Sequence, residues 1–231
     1  KPLKVDQLLA AVQKAVDFND AAQTESVNLN LQLETCYEFE NLVAESPVMK
    51  SICELLNRVA PTDITVMITG EPGTGKNSIV KTLHGHSRRK DKPLITVDCE
   101  EPGVETKLLA AGGPVDSARG GTLFLRQVES LPHEVQNKLA KAFQDRKLAG
   151  TETTVDVRVV ASSGAGLDTA VVQGAFDPVL YKLLKVIVMK IPPLRTRKDD
   201  IMPTVRLVLQ RLLGNDKALP SLDQKLVAAL E

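Results

Sequence analysis

Apolar and polar positions along the chain follow two rhythms. Val5, Leu8, Leu9, Val12 and Val16 recur at helical spacing and predict an amphipathic helix over residues 5–16. Residues 17–36 are polar, with Asn, Gln, Thr and Ser and little periodicity, and predict a linker or a weak helix. Ser46-Pro47 opens a stronger helix, because serine can cap free amides and proline tolerates the first turn. Its apolar face is predicted to be Val48, Met49, Ile52, Leu55, Leu56 and Val59, with Pro61 as the stop.

Strand and helix patterns then alternate. Short apolar runs predict strands at Ile64–Ile68, Leu94–Val97, Thr122–Leu125, Val157–Val160 and Val186–Met189. Helices are predicted from about Lys76 and from Pro132, the latter with Val135, Leu139 and Phe143 aligned. Buried strands separated by helices imply a mainly parallel five-stranded sheet covered on both faces, an α/β three-layer fold. After Pro192-Pro193 the pattern turns helical: Ile201, Val205, Val208, Leu209 and Leu212 share a face and Gly214 follows as a stop. Ser221-Leu222-Asp223-Gln224 has the form of a capping box. Opening on Lys1-Pro2 and stopping inside a predicted helix, the chain is expected to be cut at both ends.

The 29 basic and 29 acidic residues of the 231 cancel, so no global field draws in nucleic acid or an anionic membrane. The run His86-Ser87-Arg88-Arg89-Lys90 is expected to be a solvated turn. Cys36, Cys53 and Cys99 lack metal-ligand spacing and are expected to be reduced thiols of a cytoplasmic protein. No metal site is predicted from the scattered histidines, nor a membrane span from any apolar stretch.

Candidate chemistry lies in one segment. Gly70-Glu71-Pro72-Gly73-Thr74-Gly75-Lys76 follows a predicted strand and precedes a predicted helix, as a phosphate-binding P-loop requires. Its glycines let backbone amides face phosphate oxygens, the helix start adds positive potential, and Lys76 can reach the outer phosphates. Asn77 stands where serine or threonine usually binds magnesium, and Ser78 lies one residue too far to replace it. The alternative is a glycine-rich turn that holds no ligand.

From about Phe39 to the C-terminus, these segments resemble the AAA+ ATPase module of NtrC-like bacterial enhancer-binding response regulators, which activate sigma-54 RNA polymerase. Phe39 to Pro47 resembles the family's lead-in, whose backbone around Leu42 and Val43 borders the adenine. Gly120 to Leu125 and Pro192 to Ile201 match further characteristic segments, and Lys1-Pro2 with its helix resembles the end of a receiver domain. The resemblance implies a receiver-like helix at 1–18, a linker at 19–38, an α/β AAA+ subdomain at 39–194 and the start of a helical lid at 195–231. It also implies ATP or ADP as ligand, contacted by Gly70 to Ser78.

Departures from the family pattern carry equal weight. Arg126 and Gln127 stand where the family has the Asp that holds magnesium and the Glu that polarises water. Glu129 is nearby, but its two-residue offset is expected to point it elsewhere. Gly164 occupies the sensor position, and Asp177 and Leu183 occupy positions of the trans-acting arginines, worth about 10³ to 10⁵ in rate. The loop that contacts sigma-54 in the family is missing from the interval Glu100 to Pro114. The expectation is a regulatory module that binds nucleotide without hydrolysing it, does not remodel sigma-54 polymerase, and leaves magnesium in question. A nucleotide-free interaction scaffold and a working ATPase using Glu129 or Asp98 remain open. Expected partners are further copies, as a dimer or ring, and the parent protein's receiver and DNA-binding domains. Neither a membrane nor direct nucleic-acid binding by this segment is expected.

Overall fold

A computed structural model describes residues 42–147, 154–164 and 166–213. The predicted helix at 5–16, the linker, Cys36, Gly214 and the capping box at Ser221 lie outside the described residues.

Helix α1 (Pro47–Val59) begins as predicted, with Ser46 as N-cap accepting from the Met49 amide and proline in the first turn. Met49, Ile52, Leu56 and Val59 are buried, whereas Val48, expected on the same face, is 51% exposed. Strands β1 (Val66–Thr69), β2 (Leu94–Asp98), β3 (Thr122–Arg126), β4 (Arg158–Ser163) and β5 (Ile187–Lys190) form one sheet in the order β2-β3-β4-β1-β5. Every pairing in it is parallel. The inner strands are buried along almost their whole length and the edge strands β2 and β5 are not, as expected where helices cover both faces.

Side chains leave the inner strands alternately toward two cores. Val66, Ile68, Phe124 and Val160 pack with α1 and α2 (Lys76–Gly85). Met67, Leu123, Leu125, Val159 and Ala161 pack on the other face, with residues of α5 (His133–Asp145) and α7 (Pro178–Leu184). Each fully buried leucine of this kind contributes about 1.5–3 kcal/mol. One-turn helices α3 (Val104–Lys107) and α4 (Pro114–Ser117) fill the interval between β2 and β3. Helix α6 (Leu167–Val172) follows β4, and α8 (Ile201–Leu213) closes the described chain after two 3-10 turns. Ile201 of α8 is buried, while Val208, expected on the same face, is 45% exposed.

The amino edge of the sheet is fastened by two arginines. Arg158, 1% exposed, donates to the carbonyls of Val59 and Ala60 and so caps the end of α1 with positive charge. Arg89 does not belong to a solvated turn. It ion-pairs with Asp63 at 2.9 Å and Asp156 at 2.8 Å and also donates to the Gly121 carbonyl. Free thiols Cys53 and Cys99 are both buried, which pushes Cys53 up to about 11 and Cys99 up to about 12.

Candidate functional site: the loop after β1 and the carboxyl edge of the sheet

The predicted P-loop folds as a tight turn between β1 and α2. Gly73 and Gly75 adopt φ of 79° and 97°, a left-handed conformation that side chains rarely tolerate. Gly70 is required for a different reason: a Cβ there would sit 2.7 Å from the Ile191 carbonyl oxygen. Thr74 is buried and bridges the turn by donating its hydroxyl to the Glu71 carbonyl at 2.8 Å. Pro72 and Asn77 are exposed, and Ser78 is half-buried in the first turn of α2, where its amide donates to the Gly75 carbonyl. The first amides of a helix have no partner within it, so the loop can present donors and positive potential to an anion.

Lys76 opens α2 with its ammonium on the loop's own carbonyls, Gly70 at 2.7 Å and Glu71 at 2.8 Å. Burial pushes its pKa below the usual lysine range; Glu129 opposes that shift and the Arg126 guanidinium adds to it.

The neighbouring strand ends carry the other predicted positions. Arg126, the last residue of β3, is in register with Asp98 of β2 and ion-pairs with it at 3.2 Å. Gln127 follows at φ 50°, a left-handed residue in the turn out of β3, with its amide 3.4 Å from the Ser162 hydroxyl. Glu129 corrects the expectation that its offset would aim it away. Its carboxylate accepts the Gly164 amide at 2.7 Å, at the end of β4, while its second oxygen is buried without a partner. Gly164 and Glu129 thus form one unit between β3 and β1, within electrostatic influence of Lys76.

A clasp that the sequence reading missed joins this loop to the segment after β5. Arg195 makes a two-point ion pair with Glu71, at 2.7 and 2.5 Å, and holds the Glu71 carboxyl below its usual range. Arg197 donates to the Thr74 carbonyl at 3.0 Å and lies 3.6 Å from Asp200. Fully buried Asp200 in turn accepts the amides of Glu45 and Ser46 and the Ser46 hydroxyl. The lead-in to α1 is thereby tied, through Asp200 and Arg197, to the loop. In that lead-in Leu42 and Val43 are half-buried, with Leu42 packed on the core that α1 and α2 share. A run of charged residues after Pro192-Pro193 was the available signal, but sequence does not say what each charge faces.

Asp177 and Leu183 have other work. Buried Asp177 caps α7, its carboxylate accepting from the Leu180 amide, and its own amide donates to Gln136 of α5. The pair Asp177-Pro178 is itself a helix-start signal. Leu183 lines a cleft of about 460 Å³ with Phe143, Arg146 and Val157, beside the amino edge of the sheet and away from the loop.

Among the described residues, no three His, Cys, Asp or Glu side chains converge to hold a metal ion. Nor is any helix among them long and apolar enough to cross a membrane.

An all-parallel sheet in this order, with a glycine loop and lysine between an inner strand and its helix, defines the class: a P-loop NTPase domain of the AAA+ type. Within it the chain belongs to the sigma-54 interaction domain family, matched over residues 43–194. It is 32% identical to the C4-dicarboxylate transport transcriptional regulatory protein DctD of Rhizobium meliloti (strain 1021), over 87% of this chain and 48% of that protein. It is 30% identical to the DNA-binding transcriptional regulator NtrC of Azospirillum brasilense, over 97% of this chain and 50% of that one. The chain therefore spans about half the length of the curated relatives it matches. Among solved structures it resembles NtrX from Brucella abortus in complex with ADP. The TM-score is 0.74 at 28% identity, over 100% of this chain and 55% of that one. NtrX in complex with ATP gives a TM-score of 0.68 at 28% identity, over 92% and 51% of the two chains.

Proposed function

We propose that the chain is the nucleotide-holding module of a two-component transcriptional regulator of the sigma-54 activator type, one that keeps ATP or ADP without hydrolysing it and does not remodel sigma-54 polymerase. The observation that carries this reading is a well-formed P-loop with Lys76 beside strand ends bearing Arg126 and Gln127. Amides and side chains from Gly70 to Ser78 hold the phosphates, and Leu42 and Val43 border the base. Hydrolysis requires a carboxylate-held metal and a group that orients water. Arg126 is cationic, Gln127 lacks a carboxylate, Gly164 has no side chain, and Asp177 is spent on a helix cap. The likeness to NtrX, solved with ADP and with ATP, supports the ligand.

In this reading residues 1–18 end a receiver-like domain, 19–38 link it, 39–194 form the α/β subdomain and 195–231 begin the lid. The parent protein supplies receiver and DNA-binding domains, self-associates as a dimer or ring, and works in the bacterial cytoplasm. One observation favours a nucleotide-free scaffold instead: the Lys76 ammonium is already satisfied by its own loop.

Calorimetric titration with ATP and ADP separates these, with Lys76→Ala as control and phosphate release measured in parallel. Binding is expected in the unsubstituted chain, at least about tenfold weaker in the variant, with no phosphate release above background. Absence of heat at saturating nucleotide leaves the scaffold. Magnesium-dependent turnover that Lys76→Ala abolishes makes the chain a working ATPase.

A further inference from the structure

The fold implies a divalent metal beside the nucleotide phosphates, held by a hydroxyl at the start of α2 and a carboxylate at a strand end. The residues present do not fit that ion. Position 77 carries Asn in place of a hydroxyl, and the end of β3 carries a guanidinium. The nearest acid on the adjoining strand, Asp98, is already paired with that guanidinium.

What stands there instead has a definite place. Register carries Leu125 of β3 to Ala161 of β4 and Ala161 to Met67 of β1, so Arg126 is level with Ile68, close below the loop. Strands lie about 4.8 Å apart, so two steps across the sheet separate the Arg126 backbone from β1 by about 10 Å. The crevice at the carboxyl ends of parallel strands is where ligands of such sheets bind. Arg126 is also lightly held: its ion pair is a single contact at 3.2 Å, with both side chains about a third exposed, at 38% and 33%. Pairs of that kind contribute only about 0–1 kcal/mol and exchange readily for a better anion. Arginine matches phosphate oxygens by parallel N–H donors, so the exchange is favourable in geometry as well as charge. Lys76 and Arg126 repel each other electrostatically, and an anion between them relieves that repulsion.

We propose that Arg126 is the built-in counter-cation of the nucleotide phosphates, leaving Asp98 to meet them, so that this site takes ATP or ADP as the metal-free anion. The proposal rests on the nucleotide-holding reading above and adds which form of the nucleotide is bound. Among the described residues Glu129 competes with it, because its buried, unpartnered oxygen has the chemistry of a metal ligand.

The test is titration of the chain with ATP and ADP in EDTA and in magnesium, beside Arg126→Lys, Arg126→Asp and Glu129→Gln. Thermal melts of each variant confirm that it is folded. The expected result is affinity in EDTA equal to or tighter than in magnesium. Arg126→Lys should retain it within a few fold. Arg126→Asp should lose at least about tenfold in EDTA and recover part of that loss in magnesium. Unsubstituted chain that binds only with magnesium, and loses binding in Glu129→Gln, overturns the proposal and makes Glu129 the metal ligand. Metal-free binding that Arg126→Asp leaves unchanged overturns it too. A folded chain that binds neither nucleotide under either condition fails the nucleotide reading itself, an outcome distinct from both.

Discussion

The two edges of the sheet use arginine in opposite ways. At the amino edge, Arg158 is buried against two backbone carbonyls and Arg89 joins two carboxylates and two carbonyls. At the carboxyl edge, Arg126 is about a third exposed on one single-contact ion pair, and Glu129 nearby keeps an oxygen without a partner. Most polar groups at the amino edge are engaged in holding the fold, although the Nε of Arg158 is buried there without a partner. Those at the crevice are left partly unanswered, as binding groups must be if a ligand is to gain from meeting them.

The largest effect that would sharpen this contrast is at Arg158. Arg158→Met removes the donors to the Val59 and Ala60 carbonyls, costs about 2 kcal/mol, and lowers the melting temperature by roughly 4–8 °C. Calorimetric melts check it, and an unchanged melting temperature would break the distinction. A smaller effect concerns His84, buried and bonded to Thr122 between α2 and β3. Burial lowers its pKa from the ordinary histidine value. The unfolded chain then binds more protons than the folded one just below that value, so stability present above about pH 6.5 is lost as pH falls. Urea midpoints should drop between pH 7.5 and 5.5, and drop less in His84→Gln. The smallest effect belongs to the crevice: Arg126→Ala should shift folding stability by less than about 0.5 kcal/mol. A cost as large as that at Arg158 would mean that both edges are structural.

How much of this could be read in advance depends on the range of each cause. Strand positions followed from short apolar runs and fell within a few residues of the observed bounds, β1 at Val66–Thr69 against a predicted Ile64–Ile68. The helix starting at Pro47 was legible because serine, proline and the apolar face are all local signals. Strand order was not legible, since β1 pairs with β4 and β5, far along the chain. The burial of Arg89 escaped notice because its partners, Asp63 and Asp156, lie on either side in sequence and meet only when folded. Arg158 did leave a trace, a charge inside an apolar strand that calls for a partner. At the site, the loop was fully legible as a motif, whereas the Arg195 and Arg197 clasp and the Glu129–Gly164 contact depend on tertiary geometry.

The order of strands also sets a schedule for synthesis. β1 is complete at Thr69, yet neither strand beside it exists until Arg158–Ser163 and Ile187–Lys190 have been made. Pairings between segments so far apart must close long loops, and they form slowly. During translation the glycine loop therefore emerges early, without a sheet to shape it. It is one of the first parts of the domain to leave the ribosome and one of the last to reach its working form.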